Sequence, residues 1–143
     1  MNGTDFIDFA AKIAVTYSDA ASCRSVISRA YYGAFHVAKS LLDRLGSRPP
    51  RNANAHVFIQ HRLLNCEHGP AVQAGQLLRD LYSERLNADY RLKTGQVESV
   101  SYARAAVETA KQVQNLVQSS DRDEVRQQIA TGIVEYERRI SGS

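Results

Sequence analysis

A short basic segment near the middle of the chain has the residue types needed to act on a phosphodiester without a metal ion. It reads R-N-A-N-A-H, with Arg51 and Asn52 at its start and His56 at its end. Histidine titrates near neutral pH and can move a proton, and arginine can stabilise charge developing on phosphate. RNA carries its own nucleophile, the 2′-hydroxyl. The segment predicts RNA cleavage in which His56 removes the 2′-hydroxyl proton. The alternative is a solvated arginine and a histidine at a helix start.

Further arginines flank this segment. Residues 45–55 contain no acid, and the candidates to bind RNA phosphates are Arg44, Arg48 and Arg62. The formal net charge of the chain is +3. A mild positive charge suits an anionic partner without requiring one.

Arg29 and His36 form a second candidate pair, on a long helical segment at about residues 22–45. At about 100° per residue, two positions seven apart lie on the same side of a helix. The pair could transfer protons and bind phosphate. The interpretation that we favour is a satisfied polar network with the Tyr31 or Tyr32 hydroxyl and a carboxylate, because buried polar groups are normally hydrogen-bonded.

A third candidate lies at the end of the fourth predicted helix. Arg85 and Asp89 are four residues apart and precede Tyr90. That spacing allows an ion pair along one helix face. Alternatively, Asp89 could point inward and reach Arg29 or His36.

Several common kinds of site are absent from the sequence. It has no glycine-rich phosphate loop, no H-E-x-x-H, no C-x-x-C and no G-x-S-x-G motif. No acidic or thiol side chains accompany His56, His61 and His68 at the spacing of metal ligands. Cys23 and Cys66 do not make a disulfide framework, and we expect two free thiols that are at least half-buried. We therefore expect no metal and no cofactor.

Apolar residues recur at intervals of three and four along most of the chain, and no alternating strand pattern is found. This predicts an all-α fold, an up-and-down bundle of four to five helices with an additional C-terminal helix. We expect a single domain over residues 1–143, with its core at about 22–118 and the C-terminal helix at about 121–140. The remaining helices are predicted at about 4–17, 52–67, 70–90 and 99–117.

The first helix is expected to bury large side chains. Thr4 or Asp5 could cap it, and its apolar stripe is predicted to comprise Phe6, Phe9 and Ile13, with Tyr17 as a further candidate.

The helix at residues 22–45 is apolar on nearly every side in its middle two turns. Its predicted apolar stripe comprises Ile27, Tyr31, Ala34, Ala38, Leu41, Leu42 and Leu45. Such a helix is usually covered on more than one side. We expect a second helix or a second copy of the protein to pack against it closely at Gly33.

Two segments, with His56 between them, resemble the HEPN superfamily. They are SRAYYGAFHVAKSLL (residues 28–42) and RLNADY (residues 85–90). The resemblance spans about residues 22–117 and is greatest to its small stand-alone proteins. It implies a helical bundle that dimerises through its central helices. It also implies a signature polar network, which here would comprise Arg29, Tyr32, His36, Arg85, Asp89 and Tyr90.

Catalytic members of that superfamily are metal-independent endoribonucleases that use an arginine and a histidine separated by four to six residues, often with an asparagine directly after the arginine. The residue types and spacing of Arg51, Asn52 and His56 match this motif. Many members are toxins or defence proteins paired with a nucleotidyltransferase antitoxin. The resemblance thus implies a homodimeric endoribonuclease toxin acting on RNA. The alternative is a non-catalytic helical module that binds a nucleotidyltransferase partner or a nucleotide, and a weaker one is a basic RNA-binding accessory protein.

The first residues do not resemble a secretory signal, and no apolar run approaches the roughly 20 residues of a membrane span. We therefore expect a cytoplasmic protein without membrane contact.

Overall fold

The computed structural model describes residues 1–142, and within them the fold is all-α, as predicted. It contains α1 (Gly3–Thr16), α2 (Ala20–Arg44), α3 (Asn54–Leu64), α4 (Gly69–Tyr90), α5 (Val100–Ser120) and α6 (Asp123–Ser141). One 3₁₀ turn, Gly95–Glu98, precedes α5. No strand occurs in the described residues.

Helix α2 is the centre of the bundle and packs against α1, α4 and α5. Its predicted apolar stripe is confirmed, since Ile27, Tyr31, Leu41 and Leu42 are fully buried. Their spacing of three and four residues aligns them along one face of the helix. Because α1 lies on another side of α2, the expected cover on more than one side comes from helices of the same chain.

The predicted buried stripe of α1 is wrong. Phe9 and Tyr17 are 51% and 58% exposed, and Phe6 and Ile13 are only half-buried. The buried face instead consists of smaller residues, namely Gly3, Ile7, Ala10 and Ala14. Small side chains let two helix backbones approach more closely than large ones do. The cap also differs: Asn2 caps α1, and the Asp5 carboxylate accepts from the Asn2 backbone N–H at 2.7 Å.

Helix α1 approaches α2 closely at Gly33. A Cβ atom on Gly33 would lie 2.5 Å from Ile7 Cγ1 and 2.8 Å from the carbonyl oxygen of Gly3. No side chain fits in that space. The predicted close helix approach at Gly33 is therefore present, but α1 of the same chain occupies it and leaves no room there for a second copy.

Helix α6 lies against α3 and matches the predicted C-terminal helix. It buries Val125, Ile129 and Ile133. Its Gly132 meets the backbone of Cys66, two residues after the end of α3, so closely that a Cβ atom would overlap the Cys66 carbonyl group. This contact fixes the position of α6 relative to α3.

Both cysteine thiols, Cys23 and Cys66, are free and buried, as predicted. Among residues 1–142, no helix combines the length and apolarity that crossing a membrane requires.

Candidate functional site

His56 lies in the first turn of α3 and its ring inserts between α2 and α4. Its Nδ1 is 2.5 Å from the Tyr31 hydroxyl oxygen. The ring centroids of Phe35 and Tyr82 are 4.7 and 5.2 Å from that of His56. The imidazole is thus half-buried and oriented by aromatic contacts and one hydrogen bond. We call His56, Tyr31, Tyr32, Tyr82 and Arg85 the His56 cluster.

The Tyr31 hydroxyl determines which ring nitrogen of neutral His56 carries the proton. Tyr31 is fully buried, and burial raises the pKa of its hydroxyl above the ordinary value, so it stays protonated. Within residues 1–142 its hydrogen bond is to His56. Because a buried O–H needs an acceptor, Tyr31 donates to Nδ1 of His56. The proton of neutral His56 is therefore assigned to Nε2.

His56 is neutral at pH 7. Burial lowers its pKa below 6.5, and the charges of Arg85 and His36 lower the pKa further. Burial also lowers the pKa of His36, and the charge of Lys39 lowers it further. The two histidines therefore carry little positive charge themselves, and Arg85 is the permanent cation beside His56.

Arg85 on α4 is 9% exposed and is held at three points. Its Nε donates to Asp89 at 2.9 Å, and its Nη2 donates to the hydroxyls of Tyr32 and Tyr90 at 2.5 and 3.3 Å. The predicted Arg85–Asp89 pair is therefore formed. Asp89 also accepts from Ser28 Oγ at 3.1 Å, so its hydrogen bonds go to these two side chains and not to Arg29 or His36.

Within residues 1–142, Arg29 and His36 do not form the hydrogen-bonded network that we favoured. The Phe6 ring stacks on His36 with centroids 5.6 Å apart, and the Arg29 guanidinium lies 5.9 Å from the same ring. The tyrosine hydroxyls expected to serve them are bonded elsewhere, Tyr31 to His56 and Tyr32 to Arg85. Arg29 is exposed and His36 is half-buried.

Arg51 and Asn52 lie in the loop before α3 and do not join the His56 cluster. Arg51 is exposed, and no hydrogen bond or ion pair links it to another residue in the range 1–142. With Arg48, Lys39 and Asp43 it lines a cleft of about 340 Å³. The Asn52 carbonyl oxygen Oδ1 accepts from the Asn54 backbone N–H at 2.9 Å, so Asn52 shapes the loop.

Two other arginines that were candidates to bind RNA take part in contacts within the chain. Arg44 pairs with Asp121 at 2.5 Å. Arg62 lies 3.7 Å from the centroid of Phe58 and 3.5 Å from the Glu137 carboxylate, between α3 and α6. Of the flanking arginines, Arg48 and Arg51 are therefore the ones left to meet a phosphate.

Arg24 is a buried cation that the sequence interpretation missed. It is 8% exposed, its Nε donates to Glu98 at 2.8 Å, and its Nη atoms donate to backbone carbonyls of Asn87, Ala88, Arg91, Leu92 and Thr94. These bonds satisfy the carboxyl end of α4 and hold the loop that follows Tyr90. The sequence pattern that could have identified it is an arginine three residues before Ile27, which places Arg24 on the apolar face of α2.

No group of three histidine, cysteine, aspartate or glutamate side chains that could hold a metal ion occurs in the described part of the chain.

Comparison with known proteins gives one match. A family model described as HEPN domain matches residues 11–120, a span that includes α2 to α5 and the whole His56 cluster. No curated protein and no solved structure matches the chain significantly. Helix α6 lies beyond the matched residues. Since the match covers well over half of the sequence, the chain belongs to the HEPN family.

Proposed function

We propose that the chain is a toxin or defence protein of the HEPN family that cleaves RNA without a metal ion, with His56 as the proton-transferring group. The observation that supports this proposal most strongly is the environment of the His56 side chain. Its ring is held by Tyr31 and Tyr82, remains neutral at pH 7 and lies next to the cationic Arg85. Perturbed titratable groups beside a fixed cation are typical of functional sites.

The hydrogen bond of His56 favours a role as acid over the role as base that the sequence suggested, because the Tyr31 hydroxyl occupies the lone pair of Nδ1 and Nε2 already carries a proton. Neutral His56 carries its proton on Nε2, which can donate a hydrogen bond to a phosphate oxygen. In the reaction the 2′-oxygen attacks phosphorus, the bond to the 5′-oxygen breaks, and a cyclic phosphate forms. Only the fraction of His56 that has bound a second proton, at Nδ1, can act: it gives its Nε2 proton to the leaving 5′-oxygen and keeps the proton on Nδ1, while the 2′-hydroxyl proton passes to solvent.

Exposed arginines supply the contacts to the RNA backbone in this proposal. Arg51 and Arg48 form no ion pair within residues 1–142, and Asp43, which lines the same cleft, pairs with Lys39. Arg85 lies nearer to His56, although Asp89 offsets its charge. We also propose that two copies form a homodimer and that a nucleotidyltransferase is the antitoxin partner; membership of the HEPN family supports both.

The cleavage prediction is tested with purified protein, RNA and EDTA. We expect His56→Ala to lower the cleavage rate about 10²- to 10⁴-fold, the usual contribution of a positioned proton-transfer group. We expect Arg51→Ala to weaken binding and to lower the slope of log affinity against log salt by about one, because one phosphate contact is lost. Cleavage and the appearance of cyclic phosphate ends are measured by gel electrophoresis.

His61→Ala is the matched control, because His61 lies on the same helix and its side chain is exposed. It should cleave as the parent does. Equal cleavage by the parent and by His56→Ala would contradict the assignment of His56.

The pH dependence of cleavage separates an acid from a base. If His56 acts as the acid, the rate rises as the pH falls from about 8 toward the pKa of His56, which lies below 6.5. If it acts as a base, the rate is constant above that pKa and falls below it. Single-turnover rates between about pH 5.5 and 8 measure this. A rate that falls on acidification would contradict the acid role.

A non-catalytic module is the second candidate, and one observation favours it. The Arg85 guanidinium is already bonded to Asp89, Tyr32 and Tyr90, which is typical of a structural network. Such a module would bind a nucleotidyltransferase partner or a nucleotide and leave RNA intact. A stable complex with a nucleotidyltransferase, together with no cleavage in EDTA, would favour this candidate over the first.

A further inference from the structure

Tyr90, the last residue of α4, is exposed, and its side chain contacts Arg85. Its side chain is 67% exposed. The hydroxyl accepts from Arg85 Nη2 at 3.3 Å, and the Arg85 guanidinium lies 5.1 Å from the ring centroid. An aromatic ring held in one orientation at the surface loses little conformational entropy when a ligand stacks on it.

The group that holds Tyr90 is itself rigid. Arg85 is 9% exposed, its guanidinium also lies 5.0 Å from the Tyr32 ring, and Asp89 accepts from its Nε. Directly behind α4, Arg24 binds the carbonyls of Ala88 and Arg91, on either side of Tyr90. Both the side chain and the backbone of Tyr90 are therefore fixed by buried cations.

Tyr90 is linked to His56 by a continuous row of planar groups. Arg85 lies between Tyr90 and Tyr32, and the ring of Tyr32 is 6.3 Å from that of His56. In the described residues Tyr90 makes no contact with another aromatic ring. An exposed ring beside a cation is the combination with which proteins stack the bases of single-stranded nucleic acids.

We propose that Tyr90 is a stacking platform for one unpaired base of RNA, bound next to the His56 cluster. This inference rests on the proposed function and deepens it, because it makes single-stranded RNA the substrate class. A base in a duplex is already stacked on both faces and cannot lie on the ring. The platform therefore discriminates between unpaired and paired RNA at the site.

The test is binding of a fluorescent 2′-O-methyl oligoadenylate of about ten nucleotides, a length within the usual site size. This probe has no free 2′-hydroxyl and stays intact. We expect Tyr90→Ala to weaken binding roughly 5- to 150-fold, the loss that corresponds to one stacked base. Tyr90→Phe should bind nearly as the parent does, because it keeps the ring. Fluorescence anisotropy measures both affinities, and thermal unfolding checks that the variants fold.

Tyr17→Ala is the matched control, because this tyrosine directly follows α1, is 58% exposed and has no ring contact with the His56 cluster in the described residues. Its loss should leave binding unchanged. A second probe is the duplex of the same length, whose affinity Tyr90→Ala should not change. Weaker binding of the single strand alone supports the platform, whether or not unmodified RNA is cleaved in EDTA.

Two results would overturn the platform. One is equal single-strand affinity of parent and Tyr90→Ala, which would also be the outcome if Tyr90 served a protein contact. The other is an equal loss of affinity for single strand and duplex, which would indicate a backbone contact. In both cases the cleavage assay with His56→Ala decides separately on the ribonuclease proposal.

Discussion

Replacing Gly33 with leucine is expected to release α1 from the bundle and to lower the free energy of unfolding by about 3–5 kcal/mol. Even a Cβ atom would lie 2.8 Å from the Gly3 carbonyl oxygen and 2.5 Å from Ile7 Cγ1. The backbone of α1 cannot yield without moving the whole helix, and its movement would expose Ile7, Ala10 and Ala14 to water. Urea-induced unfolding measures the loss, and hydrogen exchange locates it in α1.

The matched control is Gly69→Leu. Gly69 begins α4, is exposed, and a Cβ atom there meets nothing within 4 Å. The same substitution at this position should change stability by no more than about 0.5 kcal/mol. A Gly33→Leu variant that unfolds at the parental urea concentration would mean that α1 does not pack at this position.

The second large effect is expected for Arg24→Leu, with a loss of about 3–5 kcal/mol in the free energy of unfolding. Five backbone carbonyls and the Glu98 carboxylate accept hydrogen bonds from this one side chain. Leucine cannot donate, so the carbonyls at the end of α4 would lose their partners inside the protein. Urea-induced unfolding and hydrogen exchange of residues 88–98 measure the effect.

Arg91→Leu provides the control for Arg24. Arg91 lies in the same loop, is exposed, and its Nη1 donates to the Asn87 side chain. Removing it should change stability by about 0.5 kcal/mol or less. Arg24→Lys should recover only part of the loss, because one ammonium group cannot span the positions that the guanidinium reaches. If Arg24→Leu were as stable as the parent, the hydrogen bonds of Arg24 would make no net contribution to the free energy of unfolding.

The two faces of α1 show why the sequence predicted helices better than their contacts. Phe6, Phe9 and Ile13 recur at intervals of three and four residues, but Ile7, Ala10 and Ala14 do so as well. Periodicity alone cannot choose between two stripes, and hydrophobicity favours the larger side chains. The structure buries the smaller ones because a close approach between α1 and α2 at Gly33 leaves no room for phenylalanine.

The same distinction applies to the site. The sequence predicted the Arg85–Asp89 pair that the structure contains, since spacing within one helix is a local property. Its interpretation of His56 as a catalytic residue stays a prediction. The partner of His56, Tyr31, is 25 residues away, and Tyr32 and Arg85 are 53 residues apart. Such pairs depend on which helices pack together and at what rotation, and no local pattern encodes this.

By itself the sequence determined the helical class, most helix bounds and the apolar face of α2, because helical periodicity follows from backbone geometry over a few residues. Only the tertiary structure decided which charged groups remain available to a partner. Arg62 contacts Glu137 on α6, and Arg44 pairs with Asp121, between α5 and α6. Arg51 stays exposed. The physical reason is that a side chain's partners are set by its distance in space from other helices, which chain spacing does not specify.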